Sequence, residues 1–413
     1  MQLGKVLGPG LLIAAAAIGA SHLVQSTQAG ARYGFSLLWL VLLANVLKYP
    51  FFEAGQRYTA ATGQTLLAGY LGMGRWYLVV YVSVCMVTML TSIAGVSVVT
   101  AGLCGHLLGA GLELGWTTAG VTLLCMLVLM VGRYRWLDGL SKAIVGLLGL
   151  TTVVAFGAAV WHGPVAGADF VSPDPWQLAN VAFLVSLQGW MPAPIELSAW
   201  SGLWMKERES QTGHRASLRE TLVDFKLGYI GTTVLAGVFL GLGALVMHGS
   251  QEAIEERAVP FAGQLVRLFT STLGDGVGPV VMVAALLTMF STTLTCLDGY
   301  PRSVATACTL LRPGLGRWWT VLYFGFGLLS TAMAIVTATF FAANLSLLIQ
   351  ILTAFAFLTA PVFAGFNHRL IRRPEVPAEF RQGRLLTVLS RAGLFYLVGF
   401  SLVYLGMLGG LVG

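Results

Sequence analysis

Leu187-Gln188-Gly189-Trp190-Met191-Pro192-Ala193-Pro194-Ile195-Glu196-Leu197-Ser198 sits in the middle of an apolar stretch that runs from about residue 176 to 205. Pro192 and Pro194 each lack a backbone donor and crowd the preceding turn, so a helix crossing this stretch must break there. In hydrocarbon the freed carbonyls and amides need a partner, which can be protein, water or a bound solute. A second apolar stretch has the same character. It opens with Gly8-Pro9-Gly10, and its centre reads Gly19-Ala20-Ser21-His22-Leu23-Val24-Gln25-Ser26-Thr27.

These two stretches belong to a larger pattern. Of the 413 residues, 56% are apolar and only 10% charged, with a mean hydropathy of +0.80. A soluble domain needs roughly 25% charged residues to keep its surface wet. Apolar windows long enough to cross ~30 Å of hydrocarbon recur along the chain. Spans are expected near residues 8–29, 36–61, 76–107, 114–132, 140–162, 176–205, 223–248, 277–305, 317–338, 342–366 and 386–412. Runs such as Val121–Val131 lack the alternation of a barrel strand, so the spans are helices. The fold class is an all-α polytopic membrane protein, with residues 1–413 as one transmembrane domain.

The net charge of +7 reports topology rather than nucleic-acid binding. With the N-terminus in the cytoplasm, the even-numbered loops hold Arg75; Arg133, Arg135 and Lys142; Lys206, Arg208, Arg215 and Arg219; Arg312 and Arg317; and Arg369, Arg372, Arg373, Arg381 and Arg384. The opposite side holds Arg32, Arg257 and Arg267. That asymmetry follows the positive-inside rule and puts the C-terminus outside. The five cysteines (Cys85, Cys104, Cys125, Cys296, Cys308) lack metal-ligand spacing and read as small packing residues.

The interrupted spans are the first and the sixth, five helices apart, so the second half of the chain is inverted relative to the first. Paired interruptions at corresponding positions point to an inverted-repeat transporter with a site at the bilayer midplane. The repeats would cover about residues 8–162 and 176–366, with an extra helix at 386–412.

Particular residues then carry a resemblance. Gly8-Pro9, the stretch Ala29-Gly30-Ala31-Arg32-Tyr33-Gly34-Phe35-Ser36-Leu37-Leu38-Trp39, Leu43-Ala44-Asn45, Met191-Pro192 and Gln350 resemble the natural-resistance-associated macrophage protein (Nramp) family of divalent metal transporters. The resemblance implies a LeuT-type inverted five-plus-five repeat plus an eleventh helix, in the plasma (inner) membrane of a prokaryote. It also implies an Asp-Pro-Gly-Asn metal motif at the first break. Counted back from Trp39, those positions are Gly19, Ala20, Ser21 and His22, so the family's metal-binding Asp is a glycine and its Asn a histidine. The family's Met-Pro-His in the sixth helix is Met191-Pro192-Ala193, and the acids of its third-helix proton route are missing from Thr91-Ser92-Ile93-Ala94-Gly95.

A divalent ion entering such a site wants a carboxylate to offset its dehydration. The groups expected at the centre are Gly19, Ala20, Ser21, His22, Gln188, Met191 and Gln350. His22 and Met191 would be the ligands for a softer metal ion. The alternative is a small organic solute held by hydrogen bonds and half-helix dipoles, with proton or sodium coupling. Expected coupling or gating groups are Glu196, Asp224 and Asp298. Glu196 is the carboxylate within reach of the sixth break, as a proton carrier or as a buried partner for a cation. Asp224 lacks a favourable local partner, and Asp298 is placed to pair with Arg302. Lys48 also lacks one, whereas Glu53 and Arg57 are spaced to pair.

In sodium-coupled carriers of this fold, hydroxyls such as those of Ser291-Thr292-Thr293 and Thr295 bind the ion together with carbonyls of the first break. No ATP-binding loop and no catalytic constellation is present in the sequence, so neither an enzyme nor a cofactor is expected. The expected partners are a metal ion or small solute and the lipid bilayer, with a monomeric protein and no nucleic acid.

Overall fold

The structure, a computed structural model, describes residues 7–109, 111–167, 169–250, 255, 257–274, 276, 278–341 and 344–410. Residues 277, 342–343 and 411–412, at the ends of three expected spans, lie outside the described residues. Among the described residues the regular structure is entirely helical.

The first span is two pieces. Helix α1 (Pro9–Ala17) starts on a proline whose missing N–H is no loss at a helix start. The chain leaves helical geometry at Ile18, resumes as a widened π-type turn over Ser21–Ser26, and continues as α2 (Thr27–Tyr33). The sixth span is likewise two pieces. Helix α7 (Val181–Gly189) stops before the prolines, and α8 (Ser198–Thr212) begins after a short 3₁₀ turn at Ile195–Leu197. Both interruptions therefore fall where the sequence places them.

The other elements are α3 (Leu38–Thr62), α4 (Leu66–Met73), α5 (Arg75–Leu108), α6 (Leu114–His162), α9 (Leu218–Leu242), α10 (Ala258–Leu273), α11 (Gly278–Leu311), α12 (Trp319–Phe340), α13 (Leu345–Leu370) and α14 (Arg384–Leu408). Nine helical segments among the described residues are long and apolar enough to cross a bilayer. Adding the two broken spans gives the expected eleven. Side chains such as Val131, Leu150 and Phe395 are 65–83% exposed, an apolar surface that lipid solvates.

Two features correct the sequence reading. The fourth and fifth spans were expected to be separated by a polar connection over residues 133–139. Instead, helical hydrogen bonding continues through it, giving the 49-residue α6. At ~1.5 Å per residue this is ~70 Å of helix, twice the hydrocarbon thickness, so α6 contains two spans. The residues of the connection, Arg-Tyr-Arg-Trp-Leu-Asp-Gly, have no proline, so nothing in them forbids helix. The second feature is α10, which no span predicted. It buries one face, including Phe261, Leu265 and Leu268, and is too short to cross.

Candidate functional site

A small cavity of about 20 Å³ lies between the two breaks. Ala16, Ala17, Ala20 and Ser21 line it from the first span, and Trp190, Pro192, Ala193 and Pro194 from the sixth. Val96 of α5 and Thr292 of α11 complete the wall. A water molecule needs ~10–15 Å³ of such space, so the cavity as it stands takes an ion or one or two waters. Among the described residues no carboxylate lines it. Among the described residues no group of three or more His, Cys, Asp or Glu side chains could hold a metal ion.

Of the residues expected at the centre, Ala20 and Ser21 line this cavity and Gly19 sits beside them. A Cβ on Gly19 would lie 2.6 Å from Thr292 Cγ2 and 2.9 Å from its Oγ1, so the glycine permits α11 to approach the break. Thr292 Oγ1 is 2.9 Å from the Ala15 carbonyl, 3.0 Å from that of Ile18 and 3.1 Å from that of Thr288. A hydroxyl has one proton, so three converging carbonyls leave oxygen lone pairs in excess.

The remaining expected residues are buried in other contacts. His22 is fully buried, with Nε2 2.9 Å from the Thr232 carbonyl on α9 and Nδ1 2.7 Å from Ser21 Oγ. Since a carbonyl only accepts, Nε2 carries a hydrogen. Met191 packs among apolar side chains that include Ala29, Leu40, Leu187 and Leu240. Gln188 donates to the Leu184 carbonyl (2.8 Å) and accepts from the Tyr396 hydroxyl of α14. Gln350 is partly buried, and it is its neighbour Thr353 that reaches the first span. Gln25 Nε2 donates to Thr353 Oγ1 (3.3 Å), and Gln25 Oε1 accepts from Ser186 Oγ (3.4 Å). This link between both broken spans and α13 was not singled out from the sequence. Gln25 looked like one polar residue among several, and Thr353 like an ordinary helix hydroxyl.

Two groups define the sixth break electrostatically. Lys48, on α3 and fully buried, donates from Nζ to the carbonyls of Gln188 (2.6 Å) and Gly189 (3.0 Å). These carbonyls end α7, where the helix dipole is negative. Glu196 opens the second half of the span, also fully buried. Neither of its oxygens makes a hydrogen bond of good geometry, although the hydroxyls of Thr88 and Tyr300 lie close and the Lys48 charge acts on it. Glu196 is thus a deeply buried carboxylate whose charge is set against that of one buried cation, Lys48.

Asp224, without a favourable partner in its own helix, finds one in another. It is buried, and its carboxylate accepts from the backbone amides of Gly8 (3.0 Å) and Gly10 (2.6 Å), the amides flanking Pro9 at the start of α1. An anion at the positive end of a half-helix is favourable, and the contact also satisfies two orphan donors. Glu220, its like-charged neighbour one turn earlier, is engaged in a capping box with Ser217. Lys142 fixes the same end of α1 by donating to the Leu7 carbonyl (2.6 Å) and to Asp138 (2.6 Å). A second cavity, of about 30 Å³, opens beside this contact between Pro9, Thr59, Arg208, His214 and Asp224.

Replacing Asp224 by Ala is expected to lower the unfolding free energy by about 2–3 kcal/mol, because two buried donors lose their acceptor. Thermal unfolding of the purified protein in detergent measures this. Asp224→Asn, which keeps one acceptor oxygen, should recover part of the loss, and equal losses in both variants would discount the carboxylate.

Asp298 is paired as expected, and more fully. Arg302 donates to it from Nη2 (2.7 Å) and Nε (3.0 Å), Trp204 from Nε1 (2.7 Å) and Tyr323 from its hydroxyl (2.7 Å). Arg302 also reaches Glu207 at 2.7 Å. The Glu53–Arg57 pair forms at 3.1 Å.

Two interrupted helices around a small cavity, with charged contacts at the ends of the half-helices, are the arrangement of a LeuT-type fold. Comparison with known proteins bears on the fold and the family. The family described as natural resistance-associated macrophage protein-like matches residues 10–406. An uncharacterized protein of Pasteurella multocida, PM0681, is 37% identical over 98% of this chain and 92% of its own. The divalent metal cation transporter MntH of Verminephrobacter eiseniae is 27% identical over 60% of this chain and 57% of its own.

Among solved structures, a manganese transporter of Eremococcus coleocola superposes with a TM-score of 0.66, at 14% identity over 97% of this chain and 86% of that one. MhsT in complex with L-phenylalanine superposes with a TM-score of 0.67, at 15% identity over 96% and 97%. The chain belongs to the Nramp family, a family of transporters and not of enzymes.

Proposed function

We propose that this protein is a secondary-active carrier working by alternating access, with a divalent metal ion as its formal substrate at the cavity between the two breaks. The observation that supports this most directly is the joint lining of one small cavity by both interrupted spans, in an Nramp-family chain some of whose relatives are named divalent metal cation transporters. The site is atypical, because the position of the family's metal-binding Asp is Gly19 and, among the described residues, no carboxylate lines the cavity. What remains for a cation is the Ser21 and Thr292 hydroxyls and the carbonyls left free by the broken helices, with His22 and Met191 as softer ligands once the helices move. Calorimetry with manganese, cadmium and copper tests the reading; no binding of any of them would sink it.

Glu196 is the carboxylate that replaces the missing proton-route acids. A proton loaded on it from outside makes uptake rise as external pH falls. In proteoliposomes, Glu196→Gln is expected to abolish that pH dependence. Uptake that stays pH-driven in the variant would return Glu196 to a structural role.

The second reading is a carrier for a small organic solute on the same scaffold, favoured by the lack of a carboxylate around the cavity. In that case the carbonyl cluster around Thr292 is the place for a coupling sodium ion, and uptake would follow the sodium gradient rather than pH. The whole chain acts as one transmembrane domain, its repeats spanning about 8–162 and 176–366 with an added last helix. It resides as a monomer in a prokaryotic inner membrane, N-terminus cytoplasmic and C-terminus outside, in accord with the distribution of Lys and Arg.

A further inference from the structure

We propose that Lys48 is a tethered cation that occupies the carbonyl end of the broken sixth helix, so that any cation using those carbonyls must first displace it. The inference builds on the transport reading but concerns a residue that reading does not use.

The geometry is that of a bound cation. The ammonium makes short contacts to the carbonyls of Gln188 and Gly189, the last two residues of α7, and has no exposure. An ammonium has three donors and no acceptor, so a carbonyl pair at the negative end of a half-helix is a fitting ligand for it. Desolvating an amine this completely is strongly unfavourable unless charge and hydrogen bonds offset it. Here the offset comes from the two carbonyls and from Glu196, whose charge acts on Lys48 across the break. Lys48 thus holds the end of one half-helix while drawing on the carboxylate at the start of the other.

The backbone around it is built to keep those carbonyls in place. A Cβ on Gly189 would lie 1.8 Å from the Thr353 carbonyl, so α7 ends pressed against α13 with no slack. Gln188 is fixed a second time through its side chain, by Tyr396 of α14. Carbonyls that cannot retreat present a standing cation site, and Lys48 fills it.

The consequence is competition. A substrate cation that needs these carbonyls meets a positive charge already there, and it binds only when the ammonium moves away. Removing the charge should therefore strengthen cation binding and loosen the break. Cadmium is titrated calorimetrically into purified full-length protein carrying wild-type Lys48, Lys48→Met or Lys48→Arg. In parallel, Ala193→Cys, on the cavity wall, is labelled with a cationic thiol reagent and quantified site by site by mass spectrometry, so that the native cysteines do not interfere.

Lys48→Met should bind cadmium about tenfold or more tightly than wild type, while Lys48→Arg, which keeps the charge, should not. Ala193→Cys should react several-fold faster in the Met background. If Lys48→Met unfolds because Glu196 is left uncompensated, the double variant Lys48→Met/Glu196→Gln removes both charges and serves for the same measurements. Faster labelling without metal binding in any variant would support the tethered cation and defeat the metal reading. An unchanged labelling rate in the neutral variants would overturn the tethered cation, even if cadmium binds.

Discussion

Gly19→Asp, which puts a carboxylate where the resemblance aligns the family's metal-binding Asp, should by itself give a protein that unfolds at markedly lower temperature and binds manganese no better. The cause is space. A Cβ at this position collides with Thr292, whose Cγ2 and Oγ1 lie 2.6 and 2.9 Å away and whose hydroxyl faces three carbonyls. A β-branched side chain pinned in this way has no other rotamer to adopt cheaply.

Thr292→Ala removes both colliding atoms. The pair Gly19→Asp/Thr292→Ala is therefore expected to recover stability and to raise manganese affinity by about tenfold or more, the equivalent of ~1.4 kcal/mol. A carboxylate then meets the ion directly at a site that now offers only neutral oxygens. Adding His22→Asn, the family's other ligand, should raise affinity further. Calorimetry on the single, double and triple variants checks the series. Unchanged manganese affinity in the double and triple variants would break the alignment of Gly19 with the family Asp.

Asp298→Ala is expected to be the most destabilising single change, costing about 3–5 kcal/mol. Four donors from three side chains converge on this buried carboxylate, and removing it leaves the Arg302 guanidinium with Glu207 alone on the more exposed side. Trp204 and Tyr323 lose their acceptor at the same time. Asp298→Asn keeps an acceptor oxygen for Tyr323 or Trp204 while removing the charge. It should fall between wild type and Ala in thermal unfolding. A wild-type midpoint for the Ala variant would show that the cluster is an ornament of the fold rather than a support. Because it ties α8, α11 and α12 together, its loss should also reduce transport more than ligand binding.

Much of this architecture was legible in the residues. Pro192 and Pro194 break the sixth span because proline forbids the helix, and that rule needs no tertiary context. The span positions followed from length and hydropathy for the same reason. The α6 connection did not. Its polar residues look like a loop, but polarity alone does not stop a helix, and a helical connection between spans leaves no hydropathy signal. Helix α10 escaped because it is amphipathic and short, so no window of spanning length contains it.

Within the site, residue identity pointed to the first break but not to what each side chain would touch. His22 was legible as an unusual buried histidine, whereas its partner Thr232 lies 210 residues away. Asp224 looked unpartnered because its partners are backbone amides of another helix, which a sequence lists only as Gly8 and Gly10. Lys48 stood out as an intramembrane charge, and only the folded chain placed it on the carbonyls of the sixth break.

The widened turn at Ser21–Ser26 has a counterpart at Gly243–Met247, at the end of the seventh span, and α2 lies directly against the latter. The contact is backbone on backbone: a methyl at Gly243 would come within 2.2 Å of the Thr27 carbonyl, and one at Gly30 within 1.9 Å of the Leu240 carbonyl. Two rods meshed tooth to tooth in this way cannot slide past each other. The second half of the first span and the tail of the seventh are therefore one piece, and the place left for the first span to bend is the non-helical joint at Ile18–Ala20, whose Ala20 lines the cavity.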